Sequence, residues 1–251
     1  MVKGLAIFTE HFKGFSDQYI IIGATACSLA FDQRDLEFRM TKDIDIVLIV
    51  EALTPDFIRS FWDFIKAGGY RNLKKSSGSP QFYRFDKPQD NTYPYMIELF
   101  SRKPDIFDEE YTGKLAPIPV SDELSSLSAI LLDEDYYRFI LSGRYLLAGL
   151  PCLKPEYLIV LKAKAWIDLK LRRDNGEAID RSNISKHKND ILRLYQTLEP
   201  EIRLNPGIKI QNDMRLFIEQ LRQANLNLQN LKILRTTPQD IIARLISVYS
   251  L

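Results

Sequence analysis

Histidine and cysteine are both scarce in this chain, with two residues of each among 251. A zinc ion is bound by three or four ligands that come mainly from these two residue types, so the sequence disfavours a zinc site. Cys27 and Cys152 lie in apolar surroundings, which is typical of small core residues in a reducing compartment. We therefore expect buried thiols in a cytoplasmic protein, and a disulfide between them has no support in the sequence.

The chain also lacks a large net charge and long apolar runs. Its 34 Lys and Arg residues balance 33 Asp and Glu residues, which gives a formal net charge of +1. This balance is not the global signature of a protein that binds nucleic acid or a membrane surface. No apolar run approaches the roughly 20 residues that span a bilayer, so we expect no membrane partner. Hydrophobic residues make up 45% of the chain, enough for a core in one large domain or two small ones.

The most informative stretch is an apolar, β-branched run that begins with Asp43, Ile44 and Asp45 and predicts a buried strand. Because side chains alternate along a strand, the two aspartates point to the same side. Adjacent carboxylates repel each other and are costly to desolvate, and a divalent cation such as Mg²⁺ reverses that cost. The alternative is a solvated strand entrance, at which the two acids meet Lys42 or Arg39.

A third acid, Glu98, lies among large apolar residues in another predicted strand. A carboxylate in such surroundings needs a partner. One candidate is a metal ion shared with Asp43 and Asp45, and the other is an ion pair with Arg84 or Arg102. Taken by itself, this strand leaves both candidates open.

The junction of one strand with the next helix is a candidate phosphate site. Residues 19–22 form a short apolar strand, Gly23 ends it, and a helix of small and apolar residues begins at Ala24. The free backbone N–H groups of a helix start gather at such a junction and bind phosphate well. For a single glycine the alternative is an ordinary tight turn.

Taken together, these pieces resemble the nucleotidyltransferase (polymerase-β-like) superfamily. The pattern of that superfamily is a strand, Gly-Gly or Gly-Ser, a helix, a second strand with Asp-x-Asp, and a third acid on a later strand. In this chain the pattern corresponds to Gly23 and Ala24, to Asp43 and Asp45, and to Glu98. The resemblance implies that the three acids are the catalytic residues and bind one or two Mg²⁺ (or Mn²⁺) ions.

A narrower resemblance is to the AbiEii-like abortive-infection branch, which includes toxins of type IV toxin–antitoxin pairs. It is carried by residues 22–26, followed by Arg39, Thr41 and the two aspartates. The residues that it implies for nucleotide binding are Gly23, Ala24, Thr25, Arg39 and Thr41. Ala24 stands where Gly or Ser is usual, so a hydroxyl contact to phosphate would have to come from Thr25. The connector that leads to the Asp-x-Asp strand is also longer than usual.

A lysine is predicted on the apolar face of a helix in the second half of the chain. The helix begins around Lys154, with Pro155 at its first position. At about 100° per residue, Lys162 projects from the middle of the apolar face and Lys164 from its flank. A lysine in such a position must snorkel or meet an anion. In the AbiEii-like branch such a helix carries a lysine that contacts the nucleotide's phosphates. The resemblance implies that role here, and the periodicity makes Lys162 the first candidate and Lys164 the second.

The same branch has a second anchor, a Lys-Asp-x-x-Asp segment that opens a helix. Lys186 and Asp190 match it here, whereas His187 replaces the first aspartate. The resemblance implies that Lys186 and Asp190 belong to the nucleotide site, with Asp190 orienting it. The alternative for these two residues is an i,i+4 salt bridge. A further Asp-x-Asp, at Asp133 and Asp135, is rejected as a metal site because its side chains would not face together in a loop or helix.

The predicted elements give an α+β fold. We expect an N-terminal nucleotidyltransferase-type mixed sheet with flanking helices over residues 1–115, as the catalytic domain. A mainly helical C-terminal domain over residues 116–251 is expected to close the nucleotide cleft. The predicted strands are 19–22, 43–50, 70–75, 81–85, 93–100 and 117–120. The predicted helices are 4–16, 24–31, 55–66, 121–143, one that begins at 155, 184–194, 212–224 and 238–249. A loop over 172–183 follows the helix that begins at 155, and Thr237 stands at the start of the last helix. Residues from 200 onward carry no chemistry that we can name.

The resemblance implies a metal-dependent nucleotidyltransferase, which moves a nucleoside monophosphate from an NTP to an acceptor hydroxyl. Glu98 would complete the metal site and take the proton from that hydroxyl. RNA acceptors such as the tRNA 3′ end are known in the AbiEii-like branch, and a toxin implies a cognate antitoxin protein as partner. One alternative is a degenerate member of the fold that binds nucleotide or a partner protein without turnover, which the changes at Ala24 and His187 favour and the intact acids oppose. Another is a transferase of the same fold that modifies a sugar or an antibiotic.

Overall fold

The computed structural model describes residues 2–75, 81–102, 116–117, 130–131 and 133–251. Within these ranges the helices are α1 Leu5–Phe12, α2 Gly23–Asp32, α3 Pro55–Gly68, α4 Glu134–Ser142, α5 Pro155–Asp174, α6 Arg181–Leu194, α7 Ile208–Arg222 and α8 Pro238–Tyr249. The strands are β1 Tyr19–Ile22, β2 Asp43–Leu48, β3 Asn72–Lys75, β4 Gln81–Asp86, β5 Met96–Ser101, β6 Ala116–Pro117, β7 Arg144–Leu147 and β8 Leu150–Leu153.

All of these strands belong to one mixed sheet, in the order β6-β3-β4-β5-β2-β1-β8-β7. β2 pairs antiparallel with β1 and parallel with β5, and β5 pairs antiparallel with β4. Every residue of β1 is buried, as its unbroken apolar sequence indicates for a strand that is covered on both faces. A mixed sheet with flanking helices, followed by a mainly helical C-terminal part, confirms the predicted α+β class.

An aromatic cluster joins α1 and α3 to the sheet. Phe12 is fully buried, and its ring centroid lies 4.5–6.2 Å from the ring centroids of Phe8, Tyr19, Phe57, Phe61 and Phe64. The ring of Phe61 also lies 5.3 Å from that of Phe85 on β4. Because side chains alternate along a strand, Phe85 on this face places Arg84 and Asp86 on the opposite face.

Helix α3 starts where the sequence predicts. The side chain of Thr54 accepts a hydrogen bond from the backbone N–H of Phe57 at 3.3 Å, and Pro55 takes the first helical position. Gly69 ends the helix in a left-handed conformation. These local signals set where α3 begins and ends in the sequence.

By its internal contacts the chain divides into two compact units. The first comprises the described residues of 1–120 and 140–154, and the second comprises those of 121–139 and 155–251. The second unit is helical, and Trp166 of α5 meets Phe217 of α7 edge to face with 5.4 Å between the ring centroids. Its helix α8 begins with a capping box between Thr237 and Asp240. The predicted division at residues 115 and 116 stays a prediction.

The hairpin of β7 and β8 was not predicted. Its two-residue turn, Ala148 and Gly149, has φ values of +50° and +80°, which is the backbone that a type I′ turn requires. Alanine is not one of the residues that announce such a turn, so the sequence contained no strong hairpin signal.

Other predicted bounds shift by a few residues. Helix α5 extends to Asp174 and so takes up the first part of the predicted loop, and α7 begins at Ile208 instead of residue 212. The predicted edge strand at 117–120 is represented by β6, while residues 118–120 and the predicted helical residues 121–129 lie outside the described ranges.

The two cysteines are buried thiols, as predicted. Sγ of Cys27 donates a hydrogen bond to the backbone carbonyl of Gly23 at 3.0 Å, within the first turn of α2. Burial raises the pKa of the Cys152 thiol to about 12. Across the ranges that are described, no helix combines the length and the apolar character needed to cross a membrane.

Replacing Phe12 by alanine should lower the free energy of unfolding by about 3–5 kcal/mol, because a fully buried ring leaves a cavity in the aromatic cluster. Urea unfolding followed by circular dichroism measures the change. Phe12→Leu should cost much less, and Met40→Ala, at a side chain that is 88% exposed, should change stability by under about 0.5 kcal/mol. Equal effects for Phe12→Ala and Met40→Ala would contradict this description of the core.

Candidate functional site

Two neighbouring strands bring the three predicted acids to one face of the sheet. In the parallel pair of β2 and β5, Asp45 lies beside Glu98, and Asp43 lies beside Met96. Residues that are paired across strands, and residues two apart along a strand, point to the same face. Asp43, Asp45 and Glu98 therefore share the face opposite the aromatic cluster, which we call the acid face.

A fourth carboxylate on the acid face, that of Asp86, was not predicted from the sequence. The register places Asp86 of β4 beside Met96, which is itself beside Asp43. The alternation of β4 carried this signal, since Asp86 is two residues from Arg84. The predicted strand ended at residue 85 and so left Asp86 out.

The start of α2 lies directly against Asp45. Gly23 has a φ of +65°, and a Cβ atom built on it would stand 1.8 Å from Oδ2 of Asp45. A side chain at this position would collide with the carboxylate and would force an L-residue into a left-handed backbone. The strand–glycine–helix junction and the Asp-x-Asp strand, which only the family resemblance connected in the sequence, meet here in one place.

Thr25 fastens α2 to β2. Its fully buried hydroxyl donates a hydrogen bond to the backbone carbonyl of Asp43 at 2.5 Å. A hydroxyl has one proton, so Thr25 cannot donate to a phosphate while this bond is kept. Ile22, the N-cap residue of α2, has no side-chain acceptor to offer the first-turn N–H groups. A phosphate at this helix start would therefore be bound by backbone N–H groups.

Glu98 forms an ion pair with Arg84, one of its two partners foreseen as the alternative to a metal. Nε and Nη2 of Arg84 lie 2.7 and 2.6 Å from the same atom, Oε1 of Glu98. Glu98 is 7% exposed, so its charge is largely removed from water and the arginine compensates for that loss. The register places the two residues directly across from each other on β4 and β5.

The donor chemistry of the acid face fits a hard divalent cation, because such ions prefer carboxylate oxygens. The present geometry does not complete a three-ligand site, since no group of three or more His, Cys, Asp or Glu residues within the described ranges could hold a metal ion. Asp43 and Asp45 are half-buried, share the acid face and fit a cation. The predicted third ligand, Glu98, is engaged by Arg84.

The two other predicted nucleotide contacts of this half lie in the irregular segment before β2. Arg39 places its guanidinium carbon 5.4 Å from the ring centroid of Phe38, and Thr41 is half-buried. Lys42, which the alternative reading paired with the acids, has Nζ 5.9 Å from the ring centroid of Tyr95. The predicted roles of Ala24, Arg39 and Thr41 in nucleotide binding stay predictions.

In the second unit, two predicted residues meet in a buried ion pair. Nζ of Lys162 on α5 lies 2.9 Å from Oδ2 of Asp190 on α6. Lys162 is 7% exposed and Asp190 is fully buried, so the lysine meets an anion and does not snorkel to solvent. Nη1 of Arg193 lies 3.5 Å from the other oxygen of Asp190. The structure thus joins Lys162 and Asp190, which the sequence could only propose separately.

Lys164, the second candidate, projects elsewhere. Its Nζ lies 2.9 Å from both carboxylate oxygens of Asp213 on α7, and the hydroxyl of Tyr136 donates to the same carboxylate at 2.8 Å. Burial raises the pKa of Tyr136 well above its usual range, and the negative charge of Asp213 raises it further. Lys186 is half-buried on α6, one turn before Asp190. The predicted nucleotide contacts of Lys162, Lys164, Lys186 and Asp190 stay predictions.

Comparisons with known proteins give weak likenesses. No family model matches the chain, and no curated protein matches it. A crystal structure of an antigenic nucleotidyltransferase-like protein from Paracoccidioides brasiliensis is similar with a TM-score of 0.42 and 13% identity, over 94% of this chain and 93% of that one. The Megavirus polyadenylate synthase is similar with a TM-score of 0.39 and 12% identity, over 86% of this chain and 36% of that one. Likenesses of this size carry no functional weight, so the function has to be argued from the chain's own residues.

Replacing Gly23 by alanine should displace the carboxylate of Asp45 and strain the left-handed backbone. We expect a loss of about 1–2 kcal/mol in the free energy of unfolding from the backbone alone. Urea unfolding of the purified variant measures it. Gly14→Ala is the matched control, because a Cβ atom at Gly14 meets nothing within 4 Å. If both variants were equally stable, the close approach of Gly23 to Asp45 would be wrong.

Replacing Lys162 by methionine should leave Asp190 buried without its lysine and lower the free energy of unfolding by about 3–5 kcal/mol. Lys164→Met, which breaks a half-buried pair with Asp213, should cost much less. The double variant Lys162→Met/Asp190→Leu should recover much of the loss, since it removes both charges. Guanidinium unfolding of the three variants measures these differences, and equal costs for the two single variants would contradict the burial of the pair.

Proposed function

We propose that this chain is a metal-dependent nucleotidyltransferase. The observation that carries the proposal is the contact of Gly23 with Asp45. It places a helix start, which suits phosphate, against a carboxylate pair, which suits a divalent cation. A nucleoside triphosphate with its bound cation needs both of these partners side by side. Neither motif taken separately would distinguish this chemistry from an ordinary turn or an ordinary strand entrance.

The three acids of the motif and the start of α2 have separate roles in this proposal. Asp43 and Asp45 would hold the cation, Mg²⁺ or Mn²⁺, and the first-turn N–H groups of α2 would bind phosphate oxygens. When bound, the cation neutralises charge on the attacking and leaving oxygens, which is the main catalytic contribution in phosphoryl transfer. Glu98 completes the ligand set and accepts the proton of the acceptor hydroxyl.

The proposed reaction is an in-line displacement at the α-phosphorus. The acceptor oxygen forms a bond to the α-phosphorus as its proton passes to Glu98. The bond from the α-phosphorus to the oxygen that bridges to the β-phosphate breaks, and pyrophosphate leaves with that electron pair. The chain's contribution is to position the reactants and to place its charges before the reaction begins.

The acceptor in this proposal is an RNA hydroxyl, with the tRNA 3′ end as the first candidate. It is supported by the resemblance of Arg39, Thr41 and the Asp-x-Asp strand to the AbiEii-like branch. The same resemblance supports a toxin with an antitoxin partner in the cytoplasm. Toxicity on expression that a neighbouring gene product relieves would support the toxin role without identifying the acceptor.

One observation favours a second function, that of a nucleotide- or partner-binding protein without turnover. Arg84 already neutralises Glu98, so the third acid of the motif is satisfied without a metal. Ala24 and His187, where the family has other residues, point the same way. Such a protein would still bind nucleotide through the helix start of α2.

Incubation of the purified chain with Mg²⁺, each α-labelled NTP and total cellular RNA tests the proposal. We expect transfer of label to RNA, and a loss of at least about a hundredfold in the double variant Asp43→Asn/Asp45→Asn, because both cation ligands lose their charge. Asp63→Asn is the matched control, since Asp63 is an exposed acid on α3. The size of the labelled band narrows the acceptor.

Two other results would redirect the assignment. Absence of transfer with every NTP, together with equal nucleotide binding by the parent and the double variant, would contradict the metal site and favour the binding protein. Label that appears in a sugar or an aminoglycoside antibiotic, and not in RNA, would keep the reaction and replace the acceptor.

A further inference from the structure

One cationic and two anionic side chains stand in a row across the acid face. The register places Arg84 of β4 beside Glu98 of β5, and Glu98 beside Asp45 of β2. Neighbouring strands are about 4.8 Å apart, so Arg84 and Asp45 flank Glu98 at similar distances along the sheet. The guanidinium therefore belongs to the immediate surroundings of the acids that would hold a cation.

Arg84 carries a permanent charge in a place where water screens it little. An arginine is not deprotonated in proteins, and the side chain of Arg84 is only 23% exposed. A positive charge within about 4–6 Å of a second cation opposes its binding strongly, because the effective dielectric constant near a buried site is far below that of water. The arginine also takes Oε1 of Glu98 with two of its nitrogen atoms.

We propose that Arg84 is a built-in competitor of the divalent cation, and that it sets the metal affinity of the acid face. Glu98 offers Oε1 to a metal only when Arg84 releases that oxygen. The inference rests on the metal site of the proposed function and adds to it a residue that controls when the site is complete.

The opposite role for Arg84 would be to orient Glu98 for the metal. Metal-binding carboxylates are commonly held by such an outer partner, and Oε2 of Glu98 lies outside the pair with Arg84. The two roles predict opposite changes in metal affinity when Arg84 is replaced, since an orienting arginine strengthens metal binding and a competing one weakens it. The permanent charge of Arg84 favours competition, because it opposes a cation whichever oxygen of Glu98 is presented.

Mn²⁺ binding in the absence of nucleotide tests the proposal without any need for activity. Free Mn²⁺ is counted by electron paramagnetic resonance during titration of the parent chain and of Arg84→Gln. We expect Arg84→Gln to bind Mn²⁺ on the order of tenfold more tightly, the size of effect that one nearby charge has on an ionisable group. Arg84→Lys, which keeps the charge, should show little of this gain. Arg59→Gln, which breaks an exposed ion pair on α3, should match the parent.

A double-mutant cycle with Glu98→Gln identifies the carboxylate that Arg84 withholds. In the parent background Glu98→Gln should not tighten Mn²⁺ binding, because it leaves the charge of Arg84 uncompensated beside the acids. In the Arg84→Gln background it should remove most of the gain. Arg84→Gln leaves the carboxylate of Glu98 buried without the guanidinium that neutralises it. Circular dichroism and the urea midpoint of unfolding are therefore measured beside each titration. The variant Arg84→Gln/Glu98→Gln, which removes both charges, provides a folded reference.

The outcomes separate this proposal from the metal site itself. Binding that is lost in Asp43→Asn/Asp45→Asn but unchanged or weakened in Arg84→Gln would overturn the competitor role and leave the metal site intact. Binding by Arg84→Gln no tighter than by that double-Asn variant would overturn both. Tight binding by Arg84→Gln where the parent binds weakly would support the competitor role even in a chain that never transfers a nucleotide.

Discussion

Carboxylates that stand side by side on a largely buried sheet repel each other, and this repulsion must be offset somewhere in the fold. Asp43, Asp45 and Glu98 share one face, and Asp86 lies on the same face at the next strand. The chain offsets part of the charge with Arg84 and places the start of α2, which carries the positive end of a helix dipole, against Asp45.

The geometry of the acid face depends on groups that carry no charge. Gly23 makes room for the Asp45 carboxylate by having no side chain, and Thr25 ties α2 to the backbone of β2. Behind the sheet, the aromatic cluster around Phe12 fixes the other face. Because side chains alternate, holding one face of a strand in register also holds the other. The positions of the acids are thus set by packing on the side that they do not occupy.

Local signals in the sequence predicted most of the helices and strands, whereas contacts between residues far apart in the sequence could not be predicted. The strand at 19–22, the cap at Thr54 and the capping box at Thr237 each depend on residues that lie within four positions of each other in the sequence. The hairpin of β7 and β8 escaped because alanine occupies a turn position that usually has Asn or Gly. Alternation placed Asp43 and Asp45 on one side, yet it could not choose between a metal and Arg84 as the partner of Glu98. That choice depends on strand pairing, which joins residues 14 positions apart in the sequence.

The ion pair of Arg84 and Glu98 shows that three acids in the right order need not form a site that is ready to bind a metal. A sequence pattern with three acids suggests a site that is ready for metal, but a buried carboxylate must be compensated even when no metal is bound. An arginine that compensates it stabilises the empty site and, by the same charge, weakens the filled one. The same pair therefore fits an enzyme that assembles its site only at sufficient cation concentration and a binding protein that has given up the metal. The two differ in the free energy needed to part Arg84 from Glu98, and that quantity is a property of the chain itself, independent of any acceptor.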